Sequence, residues 1–149
     1  MILVDEAATA RLGAAIARLL RTGEGVCLSG PLGAGKSTLA RALVRTLTAP
    51  DEEVPSPTFT LVQVYEGPRL KVAHFDLYRL ASPDEAYEIG LDEALDDGAA
   101  VIEWPERLQG RLPPDRLDVE IAIAGEGRSA RLTPRGAWEG RLKDLAFEP

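Results

Sequence analysis

The stretch GPLGAGKST, Gly30 to Thr38, decides how the rest of this chain is read. Gly30, Gly35, Lys36 and Ser37 fill the pattern G-x-x-x-x-G-K-[ST]. Glycines let such a loop fold so that successive backbone N–H groups point inward at phosphate oxygens. The helix that follows adds the positive end of its dipole. The lysine ammonium then reaches the β- and γ-phosphates, and the hydroxyl after it ligates Mg²⁺. The motif carries this meaning only between a strand and a helix. Gly25–Ser29 (GVCLS) is a short apolar run that fits a buried strand. From Ser37 to Leu47, Leu39, Ala42, Leu43, Thr46 and Leu47 share one helical stripe. The expected nucleotide cradle is therefore Gly30, Leu32, Gly33, Ala34, Gly35, Lys36, Ser37 and Thr38.

Upstream, Leu12, Ile16, Leu19 and Leu20 space a helix over Thr9–Leu20, with Gly23 as its C-cap. Downstream, the prolines and acids of Thr48–Pro57 make a loop. Phe59–Tyr65 and Leu70–Asp76 read as strands joined by a turn at Glu66–Arg69, an antiparallel hairpin. Ser82, Pro83 and Glu85 predict a capped helix ending at Gly90, followed by another helical turn at Asp92–Leu95. Ala99–Trp104 is a second buried strand, stopped by Pro105. Leu117, Val119, Ile121 and Ile123 alternate as a half-wet strand. Gly125–Gly127 turns into a last strand near Ser129–Thr133, and Trp138, Leu142 and Leu145 space a closing helix. Early alternation of helices with buried strands predicts an α/β fold of three layers, with a mixed, mostly parallel sheet.

The chain has 149 residues, the size of one domain, so residues 1–149 are expected to form a single unit. No apolar run is long enough to span a membrane, and the acidic N-terminal stretch is unlike a signal peptide, which predicts a cytoplasmic protein. The lone Cys27 has no disulfide partner. A net charge of -7 argues against direct RNA contact, because affinity for the phosphate backbone comes from Lys and Arg. The C-terminal arginines 107, 111, 116, 128, 131, 135 and 141 read as a solvated mixed-charge surface.

Nucleotide chemistry at such a loop also needs a carboxylate near the metal. Asp76 ends one strand and Glu103 ends another. Either acid can hold Mg²⁺ through water or orient an attacking water, and spacing leaves open which does which. Alternation puts Val72, His74 and Asp76 on one strand face and Ala73, Phe75 and Leu77 on the other. His74, the only histidine, reads as a half-buried structural histidine, with a base as the alternative. Thr58, in Ser56-Pro57-Thr58-Phe59, sits where switch loops sense the γ-phosphate. Trp104 is placed to stack on a base or a partner, or to pack in the core. No Asn-Lys-x-Asp box for guanine is present, which favours ATP.

GPLGAGKST, SPTFTLV, HFDLYRL and IEWPERL, in this order and spacing and with GLDEAL between, resemble the TsaE (YjeE) family. The resemblance implies a P-loop ATPase that binds ATP and Mg²⁺ and is needed for threonylcarbamoyladenosine in tRNA, at the adenosine beside the anticodon. It implies two partners, TsaB and TsaD, whose complex it drives or resets, with weak activity alone. It carries binding roles to Lys36, Ser37, Thr58 and Trp104, and metal and water roles to Asp76, Glu103 and Ser37. Two positions depart from the usual pattern: Pro31 stands where the family has Asp, and Ser37 where many members have Thr. The readings that compete are a small-molecule phosphotransferase, a GTP switch and a nucleotide-sensing adaptor. A phosphotransferase needs a lid and an acceptor pocket, for which the chain shows no segment.

Overall fold

The computed structural model describes residues 1–147. In chain order its elements are β1 (Ile2–Leu3), α1 (Glu6–Leu19), β2 (Gly25–Ser29), α2 (Lys36–Leu47), β3 (Val62–Glu66), β4 (Lys71–Asp76), α3 (Pro83–Glu88), α4 (Leu91–Asp97), β5 (Ala99–Glu103), β6 (Arg116–Ala124) and β7 (Gly127–Arg135). Short 3-10 turns follow at Pro105–Leu108, Gly136–Trp138 and Leu142–Asp144. The strands form one sheet in the order β1-β7-β6-β2-β5-β4-β3. Its centre, β6-β2-β5-β4, is parallel. Its margins are antiparallel, with β3 on β4 and β7 and β1 beyond β6.

Alternation along β2 explains the layers. Val26 and Leu28 face α1 and α2, where Leu12, Ile16, Leu39 and Leu43 cover them together with Val101 and Val119. Cys27 faces the opposite side, with Ala73, Phe75, Ala100 and Ile102, under Leu80, Ala86, Leu91 and Leu108. Both faces of the parallel centre are thus buried, as crossover helices require. Each large apolar side chain removed from water contributes about 1.5–3 kcal/mol.

Several expected boundaries move, for identifiable reasons. Helix α1 begins at Glu6 rather than Thr9, because Asp5 caps it and its Oδ1 accepts from the Ala8 N–H at 2.8 Å. It ends at Leu19 with Leu20 as C-cap, so Gly23 belongs to the following turn. Strand β3 begins at Val62, not Phe59, because the Leu61 N–H donates to the Pro57 carbonyl at 2.7 Å and Leu61 itself is left-handed, φ 68°. Ser82 makes no capping bond with its side chain, and Glu85 reaches the Ala81 N–H instead, at 3.0 Å. The expected closing helix is replaced by the two 3-10 turns at Gly136–Trp138 and Leu142–Asp144. Two glycines, Gly136 and Gly140, weaken a helix there.

The C-terminal arginines are mostly spoken for. Arg111, Arg116, Arg131, Arg135 and Arg141 each lie beside a carboxylate. Arg141 is buried and donates to Glu24 at 2.6 Å. Among the described residues no helix is long and apolar enough to cross a membrane.

Candidate functional site

The carboxyl ends of the parallel strands meet the start of α2, the usual place for a ligand crevice in such sheets. A cleft of about 360 Å³ opens there. Leu32, Gly33, Ala34, Gly35, Lys36, Ser37, Thr38, Thr58, Asp76, Glu103 and Trp104 all line it, although they come from four separate segments.

Gly35 takes the N-cap of α2 with φ 111°, a left-handed conformation that glycine adopts at little cost. Among the described residues the backbone N–H groups of Gly33, Gly35, Lys36, Ser37 and Thr38 have no acceptor. Five unpaired donors converging on a helix start fit a phosphate. Gly30 does not line the cleft. A Cβ there would stand 2.2 Å from the Ile121 carbonyl oxygen of β6, so close packing under that strand requires glycine. Its carbonyl accepts the Lys36 ammonium at 2.6 Å.

Lys36 is 5% exposed, and its Nζ also lies 3.6 Å from the centre of the Trp104 ring. Burial pulls its pKa below the usual lysine value, and the charges of Glu103, Glu106 and Asp76 partly restore it. Trp104 is left-handed, φ 61°, at the end of β5, and its ring meets Tyr78 at 4.9 Å between centroids. A non-glycine residue held in that region stores about 1–3 kcal/mol and marks a site the surroundings over-determine.

The two acids are direct neighbours. Asp76 of β4 and Glu103 of β5 are register partners in parallel strands, so the sheet itself sets their separation. Asp76 accepts from the Tyr78 N–H through Oδ1 and from the Thr58 hydroxyl through Oδ2, both at 3.1 Å. The Thr58 hydroxyl is also 2.8 Å from that of Ser56. Glu103 pairs its Oε2 with Nε2 of His74 at 2.6 Å. His74 is 2% exposed, more buried than its sequence context implied. Its Nδ1 has no partner. Asp76 and Glu103 are nearly as buried, yet both border the cleft.

Among the described residues no group of three or more His, Cys, Asp or Glu forms a metal cage. Two carboxylates and the Ser37 hydroxyl are a sparser oxygen set. That is the kind Mg²⁺ uses, since it keeps waters and takes further ligands from phosphate.

Sequence reasoning missed the far wall of the cleft, which consists of Asp5, Glu6, Thr9, Glu126, Gly127 and Arg128. Arg128 donates through Nε to the Ala34 carbonyl at 3.1 Å and through a terminal nitrogen to the Gly33 carbonyl at 3.0 Å. It thereby fastens the glycine loop to the β6–β7 hairpin. Its place just after the Gly125–Gly127 turn was a faint signal, because a turn can carry a strand-end arginine to a remote loop.

The fold and the cleft define a mixed-sheet α/β protein with a strand, glycine loop and helix at the carboxyl edge of its parallel strands. The chain belongs to the TsaE family: the family model described as "Threonylcarbamoyl adenosine biosynthesis protein TsaE" matches residues 3–131. A protein of Treponema pallidum named "tRNA threonylcarbamoyladenosine biosynthesis protein TsaE" is 42% identical over 120 residues, 80% of this chain and 87% of that protein. The protein of the same name in Aquifex aeolicus is 40% identical over 129 residues, 86% of this chain and 90% of its own. The crystal structure of Bacillus subtilus YdiB superposes with a TM-score of 0.81 at 27% identity, covering 98% of this chain and 92% of that one.

Proposed function

We propose that this chain is the ATP-hydrolysing subunit of tRNA threonylcarbamoyladenosine biosynthesis, serving a TsaB–TsaD pair. Family membership supports the pathway. One observation carries the chemistry: the cross-strand carboxylates Asp76 and Glu103 border the same cleft as the unpaired N–H groups of the glycine loop.

In this reading the loop N–H groups bind the phosphates, and Lys36 leaves the Gly30 carbonyl to meet them. Magnesium, when bound, neutralises charge on the β- and γ-phosphate oxygens. Ser37 would ligate it directly and Asp76 through water, since both Asp76 oxygens already accept hydrogen bonds. Oε1 of Glu103 has no donor among the described residues, which leaves it for the attacking water. That water gives its proton to Glu103 as its oxygen bonds to the γ-phosphorus, and the bond to the ADP oxygen breaks. Catalysis is then positioning and charge stabilisation, the usual division of labour in phosphoryl transfer.

The test is phosphate release from ATP by the purified chain, alone and with TsaB–TsaD. Stimulation by the pair, abolished in Lys36→Ala, supports the reading. Turnover that ignores the pair and requires a small acceptor overturns it in favour of a phosphotransferase.

A further inference from the structure

One cluster of arginines without ion-pair partners sits where the sequence drew no attention. Arg11 and Arg18 of α1, seven residues apart, lie on one face of that helix. Arg41 and Arg45 of α2, four apart, lie on one face of theirs. All four line a single groove of about 630 Å³ between the helices. Among the described residues none of the four has an ion-pair partner, while five C-terminal arginines do. Arg45 uses only Nε, on the Glu52 carbonyl. The floor between the arginines is small and apolar, with Ala10, Ala14 and Ala42.

We infer that this groove docks an acidic amphipathic helix of a protein partner. Four guanidinium groups around one groove call for carboxylates or phosphates. The floor chooses between them. Small residues on paired helices admit the apolar face of a third helix, anchored at i, i+3 and i+4. A nucleic-acid strand would gain nothing from an alanine floor, finds no aromatic residue in the groove to stack on, and meets repulsion from a net charge of -7. Thr38, in the first turn of α2, borders both this groove and the cleft, so an occupant touches the helix that carries Lys36 and Ser37. The inference rests on the partner reading above, with the helix belonging to the TsaB–TsaD pair.

The experiment is binding of the full chain to purified TsaB–TsaD as salt rises, for wild type and for Arg11→Glu/Arg18→Glu. Both positions are exposed, and unchanged ATP affinity reports an intact fold. Arg131→Glu, an exposed position on β7 that does not line the groove, is the control. The groove variant is expected to bind tenfold or more weakly at low salt and to lose most of the salt dependence, as reversed interface charges do; the control is expected to bind as wild type does. Equal binding and equal salt dependence in both variants overturn the inference while leaving the partner reading intact. Failure of the wild type to bind TsaB–TsaD overturns both. Wild-type binding to tRNA alone, lost in the groove variant, overturns the inference and reassigns the groove to RNA.

Discussion

Nε2 of His74 lies 2.6 Å from Oε2 of Glu103, and both side chains are buried. The pair joins two adjacent parallel strands on the side facing the glycine loop. Removing the imidazole in His74→Leu leaves a buried carboxylate without its partner, which costs about 2–4 kcal/mol; urea unfolding checks this. Glu103→Gln keeps the size of the side chain and a hydrogen bond to His74. It is expected to bind ATP normally and to lose about 10²–10⁴-fold in phosphate release. Equal loss of binding and turnover would reassign Glu103 to nucleotide binding.

Lys36 sets a pH limit. Burial holds its pKa below the usual 10.5, so in the free protein it loses its proton earlier than an ordinary lysine. Phosphate prefers the ammonium form. ATP affinity is therefore expected to decline as pH rises, and to begin declining earlier than it would for an ordinary lysine. Folding runs the other way: the unfolded chain binds more protons between the two values, so the lysine's cost to stability fades as pH climbs through that window. Titrating ATP affinity from pH 7 upward, with Lys36→Ala as reference, separates this lysine from the rest.

Arg128 holds the carbonyls of Gly33 and Ala34. Arg128→Ala frees the loop without touching the core. ATP affinity is expected to fall about tenfold, near 1.4 kcal/mol, while the unfolding midpoint barely moves. Calorimetric titration beside a thermal melt measures both.

Cys27 faces the core beneath α3 and α4, and burial, helped by the charge of Asp118, pushes its thiol up to about 12. The thiolate is the reactive form. At pH 8 the folded chain is expected to resist alkylation, and the unfolded chain to react within minutes. Equal rates would place the thiol in solvent.

The features legible in the sequence were those whose parts sit close together along it. The glycine loop, its strand and its helix are contiguous, and β2 occupies the expected Gly25–Ser29. Asp76 and Glu103 were legible because each ends an apolar run, but their pairing was not, since register belongs to the sheet. Arg128 escaped notice because it reaches the loop only through the β6–β7 hairpin, far along the chain from Gly33 and Ala34. The two-residue β1 is too short to show a period of its own. Apolar spacing at Trp138, Leu142 and Leu145 suggested a helix that Gly136, just before it, and Gly140, within it, undo.

The register of β4 on β5 also bears on the chain's own synthesis. The glycine loop leaves the ribosome well before Glu103, and β2 acquires neighbours on both sides only when β5 and β6 have been made. The loop sequence is therefore made well before the strand that packs over Gly30 and the arginine that holds Gly33 and Ala34. The site ripens late in translation, because the strands flanking β2 and the arginine bracing the loop all follow Glu103 or include it.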